Sequence, residues 1–144
     1  MTTAQDHIEQ VNQIVKALNA GNDFPASLMD DQLEYKDWAT GMEADSADEF
    51  YEYAKVWFAA FSDLTFGNDS IVATDRACVH HWWMTGTLTD HFAPFPLVDK
   101  GQRGSGVILH GASTYEYGDD GKVVKFSEYY DMLSLLRQVG VELP

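Results

Sequence analysis

The chain of 144 residues is long enough for one domain with a sizeable core, and no linker, repeat or low-complexity stretch divides it. Its 23 acidic against 9 basic residues give a net charge of −14, which opposes binding to nucleic acid or anionic lipid. The single Cys78 excludes an intrachain disulfide framework and a zinc centre of Cys ligands, and no apolar run approaches the length of a membrane span.

Residues 3–20 read as a helix: Thr2 or Thr3 can cap it, Ile8, Val11, Ile14, Val15 and Leu18 form one stripe, and Gly21 stops it. Pro25 opens a short second helix through Asp31, and Leu33 to Trp38 is extended. Ser46 and Glu49 form a capping-box signature. The helix that follows sets Phe50, Tyr53, Ala54, Trp57, Phe58 and Phe61 on one wide face. Thr65–Thr74, Ala77–Thr89, Gly106–Tyr117 and Lys122–Asp131 then read as strands, the last two joined by the turn Gly118–Gly121. Between the middle strands, Asp90 to Ser105 is a long proline-bearing loop. Met132 to Gly140 closes the chain as a short helix. Helices followed by consecutive antiparallel strands predict an α+β fold, one domain over residues 1–144, with helices laid on one face of a curved sheet.

Asp131 is the first candidate for chemistry, because a carboxylate at the end of a mostly apolar strand is costly to bury without a purpose. Two roles are open to it: N-cap of the terminal helix, or a pocket carboxyl whose proton affinity is raised by burial. Strand alternation places Ser127, Tyr129 and Asp131 on one face, with Val124, Phe126, Glu128 and Tyr130 on the other. His80 and His81 are adjacent on a strand and point apart, so they cannot share one metal ion, and no metal site is expected. His110 begins the strand beside that of Asp131, where it can serve as a second proton-transfer group or as a structural hydrogen-bonder. His7 and His91 read as surface residues.

Several short segments carry a family likeness. Asp37-Trp38-Ala39-Thr40-Gly41, Ala60-Phe61-Ser62-Asp63-Leu64, Asp75-Arg76 with Trp82 and Gly86-Thr87, and Gly121-Lys122-Val123-Val124 through Asp131 to Leu135-Leu136-Arg137-Gln138-Val139-Gly140 together resemble the SnoaL-like polyketide cyclases. That family has the nuclear transport factor 2-like fold, a cone of helices closed by a curved sheet. The resemblance implies a cofactor-independent enzyme acting on a hydrophobic, carbonyl-bearing, polyketide-like molecule, as an aldol-type cyclase or isomerase. Other members of the fold are dehydratases, epoxide hydrolases and non-catalytic binding or dimerisation modules, and these stand as alternatives. It implies Asp131 as acid/base, with His110 or His80 assisting, and His80 inward beside Trp82 and Met84. The implied substrate pocket is walled by Tyr35, Asp37, Trp38, Trp57, Phe61, Trp82, Met84, Tyr115, Ser127 and Tyr129. Trp83 on the outer face, and the habit of the fold, imply a homodimer through the sheet; a cytoplasmic location, no cofactor, no nucleic acid and no membrane complete the expectation.

Overall fold

The computed structural model describes residues 2–143. Helix α1 (Ala4–Asn19) starts at a reciprocal cap in which the Thr3 hydroxyl accepts from the Asp6 N–H and the Asp6 carboxylate accepts from the Thr3 N–H. Its apolar stripe buries Val11 and Ile14. His7, expected at the surface, is fully buried on the same helix: its ring stacks on Tyr117 at 3.4 Å and its Nε2 bonds to the Asp75 carbonyl.

The segment expected as a second helix forms only a 3-10 turn, Ala26–Leu28, and strand β1 begins at once, Met29–Asp37. Met29, Leu33, Tyr35 and Asp37 are all buried from this strand, and it is that burial that decides against a helix. A two-residue strand β2 (Glu43–Ala44) precedes helix α2 (Ala47–Ala59), which is capped by Ser46 Oγ accepting from the Glu49 N–H. Phe61 leaves the helix and opens β3 (Phe61–Ala73), earlier than the sequence pattern indicated. β4 (Ala77–Leu88), the short α3 (Pro96–Asp99) within the long loop, β5 (Gly106–Tyr117), β6 (Val123–Tyr130) and α4 (Met132–Gln138) follow.

The six strands form one sheet in the order β2-β1-β6-β5-β4-β3. Neighbours are antiparallel except β1 and β6, which pair in parallel. That parallel contact is a correction to a simple run of antiparallel strands; it joins segments far apart in sequence, where local patterning carries no signal. Two register shifts in the β3–β4 ladder add local twist and curl the sheet. The fold is thus α+β, with α1 and α2 packed against the concave face of a curved, open sheet. Among the described residues no helix is long and apolar enough to cross a membrane.

Side-chain parity splits the sheet into two faces. The concave face takes Tyr35, Asp37, Met84, Leu109, Tyr115 and Phe126 into the core. The convex face shows Trp38, Val72, Val79, Ile108 and Tyr129, each at least two-fifths exposed. Two glycines accommodate the adjacent tryptophans on opposite faces. A Cβ at Gly111 would overlap the inward Trp82 ring, and one at Gly67 would overlap the Trp83 ring. Gly111→Ala is therefore expected to destabilise the fold by about 1–3 kcal/mol through overpacking, read as a lowered urea midpoint with an unchanged slope.

Candidate active site

Between the helices and the concave face lies a cavity of about 110 Å³. This is several times the ~10–15 Å³ that one water requires, so it is more than a packing defect. Its walls are mostly rings and aliphatic chains: Phe24, Trp57, Phe58, Phe61, Phe66, Trp82, Met84, Leu109, Tyr115 and Phe126 among them. Among the described residues no Lys or Arg lines it. The polar groups are few, and the sheet register sets them in one row. Asp37 on β1 is the register partner of Glu128 on β6, Glu128 of Ser113 on β5, and Ser113 of His80 on β4.

Asp37 is almost completely buried, and four donors converge on it. Its Oδ1 accepts from the N–H groups of Ala39 at 2.9 Å and Thr40 at 3.1 Å, a turn the carboxylate itself organises. Its Oδ2 accepts from the hydroxyls of Tyr53 and Tyr130, each at 2.7 Å. Burial first, then the charge of Asp37, holds the Tyr130 hydroxyl well above the ordinary phenol range. Burial does the same to Tyr53.

Glu128 has a different situation. One protein donor reaches it, the Tyr35 hydroxyl at 3.0 Å. Burial, and secondarily the negative charge of Asp37 beside it, push its carboxyl up to about 8, against the smaller opposing effect of the Tyr35 hydrogen bond. Tyr35 is itself pushed far up, by burial and then by the charges of Glu128 and Asp37. Asp37 is saturated with donors, whereas Glu128 keeps unused hydrogen-bonding capacity on the cavity wall.

At the other end of the row, His80 is 3% exposed. Its Nε2 meets the Asn68 side-chain oxygen, and Asn68 in turn donates to the Asn12 side chain at 2.9 Å. Burial, then His81 next to it, lowers the imidazole to about 4, so the ring is neutral. The His80 Nδ1 is buried without a hydrogen-bond partner, and the buried Trp57 indole N–H is directed at the Tyr53 hydroxyl. Trp82 is satisfied, donating to Ser113 Oγ at 2.9 Å.

Eight residues expected in the pocket stand on its wall: Tyr35, Asp37, Trp57, Phe61, His80, Trp82, Met84 and Tyr115. Five do not. Asp131 is exposed and caps α4, its Oδ1 accepting from the Ser134 N–H at 2.9 Å. His110 faces outward with its side chain 67% exposed, 3.5 Å from Asp69. Tyr129 and Trp38 stack on each other on the convex face, with Lys36 over the Trp38 ring. Ser127 shares their parity and lies outside the cavity lining. The physical reason is the period of two along β6: Phe126 takes the core, so Glu128 and Tyr130 share its side and Ser127 and Tyr129 take the other. Glu128 and Tyr130 were therefore missed; Tyr53, on α2, was read only as part of that helix's apolar face. The signal that could have found the two β6 residues is Lys125, on the parity of Ser127 and Tyr129, which marks that face as solvated. No group of three or more His, Cys, Asp or Glu among the described residues is placed to hold a metal ion.

This arrangement, helices over a curved sheet with a pocket on the concave side, is the nuclear transport factor 2-like fold. Solved structures superpose accordingly: AclR from Streptomyces galilaeus (TM-score 0.80, 19% identity, 99% of this chain and 89% of that one) and a SnoaL-like protein from Jannaschia sp. CCS1 (0.80, 15%, 99% and 97%). A nuclear transport factor 2-like protein from Burkholderia pseudomallei does so too (0.72, 12%, 92% and 96%). The sequence profile of the family described as SnoaL-like polyketide cyclase matches residues 9–139, and the chain belongs to that family. No curated protein matches it in sequence.

The raised Glu128 carboxyl has a consequence for stability. Its value rises from 4.5 to about 8 on folding, so between these pH values the native state holds a proton that the unfolded chain has released. Its contribution is full below about pH 4.5 and is lost as pH rises towards 8, by up to a few kcal/mol. Urea midpoints measured from pH 5 to 8 are expected to fall more steeply for the wild type than for Glu128→Gln; equal slopes would show that Glu128 is not held protonated.

Proposed function

We propose that the protein is a cofactor-independent acid/base enzyme acting on a hydrophobic carbonyl compound of the polyketide type, closing a ring by intramolecular aldol addition or shifting a double bond through an enolate. The observation that carries the reading is Glu128: an enclosed carboxyl poised near neutral pH, with free bonding capacity, in an otherwise apolar cavity. A proton shuttle works best with a pKa close to the working pH. In its ionised form Glu128 takes a proton from the carbon next to the carbonyl. The enolate carbon bonds to a second carbonyl carbon, and the resulting alkoxide recovers the proton from the Glu128 carboxyl. The sequence conserves atoms and electrons and needs no external reductant.

The neighbouring groups have supporting parts. Tyr35 orients the Glu128 carboxyl. Asp37, with its lone pairs filled, positions Tyr53 and Tyr130 and raises the proton affinity of Glu128. The absence of cations from the lining favours an uncharged substrate over a carboxylate or phosphate ester.

We further infer that two copies associate through the convex face. Val72, Val79, Ile108, Trp38 and Tyr129 expose apolar surface there, more than isolated surface residues account for. Sedimentation equilibrium is expected to give a dimer for the wild type and a monomer for Ile108→Glu; a monomeric wild type would end this assignment.

The catalytic reading is tested by deuterium uptake at the α-carbon of 2-tetralone in D2O, followed by NMR. The wild type is expected to accelerate exchange, with a rate that rises with pH towards about 8. Glu128→Gln is expected to lose about 100-fold or more. Asp131→Ala, outside the cavity, should keep the rate while losing about 1 kcal/mol of stability from the helix cap. Exchange no faster than in buffer, or a Glu128→Gln variant as fast as the wild type, would leave a binding pocket and not an active site.

A further inference from the structure

A pocket serves a ligand only if the ligand can reach it, whatever chemistry follows. α1 rests chiefly on β3 and α2 chiefly on β1, strands on opposite sides of the sheet, which leaves a seam between the helices. Val15 and Leu18 of α1 and Ala54 and Phe58 of α2 line the cavity, and none of them is fully buried. At the same seam lies an open groove of about 300 Å³, reaching from Asn19 and Asp23 to Lys55 and Leu64. Leu18, Phe58 and Phe66 line both the groove and the cavity, so these three side chains partition the two spaces. The charged residues on the groove are one of each sign, Asp23 and Lys55, and the groove carries no net charge on a chain of −14.

We propose that this groove is the entrance to the cavity and that the Phe58 side chain is its gate. The strand side of the partition is fixed. Phe61 stands opposite Leu88 and Phe66 opposite Met84, so β3 carries one residue more than β4 between them. The extra residue falls at the register shift between Ser62 and Thr65, where Asp63 holds a left-handed φ of 54°. That bulge reverses the parity, and Phe66 turns to the concave side together with Phe61. Asn19, at the end of α1, then pins the Phe66 backbone: its amide donates to the Phe66 carbonyl at 2.9 Å, and its Oδ1 accepts from the Phe66 N–H at 2.7 Å. The same two bonds tie the Leu18 end of α1 to β3. Phe58, one residue from the end of α2, meets Phe66 edge-on at 5.8 Å and stacks on Phe24 at 6.2 Å. These are ring contacts alone, so Phe58 can change rotamer without breaking a hydrogen bond, and that single rotation joins groove to cavity.

The test follows the exchange of fluorobenzene with the full chain by 19F NMR, which gives association and dissociation rates at equilibrium. An apolar cavity of the order of 150 Å³ holds a benzene ring, and fluorobenzene has no acidic proton for Glu128 to take, so the entrance and the acid/base reading can fail separately. Phe58→Ala is expected to raise the association rate about tenfold, as removal of a gate does. Leu64 lines the groove and not the cavity, and does not touch a bound probe. Leu64→Trp, which fills the groove, should therefore slow association and dissociation together, about tenfold each, and leave the Kd within about twofold. Should Leu64→Trp not fold, Lys55→Trp, at an exposed groove position on α2, carries the same expectation. An unchanged association rate in Phe58→Ala would overturn the proposal. So would a groove variant that exchanges as fast as the wild type, or one that changes the Kd through the dissociation rate alone. Failure of the wild type to bind fluorobenzene would overturn it as well.

Discussion

Four hydrogen bonds meet at the buried carboxylate of Asp37, and they tie together the end of β1, the turn after it, α2 through Tyr53 and β6 through Tyr130. A carboxylate at this depth without partners would cost far more than the protein's net stability. The chain must therefore bring all four donors to one point, and doing so orients helix against sheet. The same group fixes the chemistry next to it. Parallel pairing of β1 with β6 sets Glu128 directly beside Asp37, and no cation enters the cavity to relieve the pair. Burial and that neighbouring charge together keep a proton on Glu128 at pH values where a free glutamate has lost it.

Packing divides the interior into a filled half and a hollow half. In the filled half Phe24, Phe50, Tyr35, Tyr115 and Phe126 meet edge to face at centroid distances of 4.6–5.9 Å, the preferred aromatic geometry. This cluster holds the Tyr35 ring from several sides, so its hydroxyl is delivered to Glu128 without further restraint. In the hollow half, α2 presents Trp57 beside Tyr130 and Phe61, and the rings stand apart around the cavity. The long loop with α3 packs on the terminal helix: Ala93 and Val98 are fully buried in one cluster with Leu135, Leu136 and Val139. A rigid aromatic wall carrying a short row of polar groups is a preorganised pocket, in which few side chains need ordering before a ligand is seated.

The two faces of the sheet illustrate how a single residue of parity redistributes function. Inward on β6 lie Phe126, Glu128 and Tyr130; outward lie Lys125, Ser127 and Tyr129. Local patterning supports either assignment for a strand so rich in rings, since a tyrosine is at home in a pocket, in a core or at an interface. Lys125 was the discriminating residue, because an ammonium is not buried unpaired, and it is seen reaching Glu116 on the neighbouring strand. Asp131 follows from the same geometry. It is the first residue past the strand, where the chain turns into α4, and a free helix N–H lies closer to it than any cavity.

The sequence by itself determined the α+β class, the family, the capped helices α1 and α2, the strands β4, β5 and β6, and the inward parity of β4, where His80, Trp82 and Met84 alternate with exposed or partly exposed partners. These are properties of near neighbours along the chain: caps act over three residues, and side-chain direction repeats every two. The tertiary structure alone decided the parallel β1–β6 pairing, the convergence of Tyr53 and Tyr130 on Asp37, and the raised proton affinity of Glu128. Each depends on groups separated by many residues and brought together by the register of the sheet. The acidity of a carboxyl is set by the water and charge around it in space, which no neighbour in sequence reports.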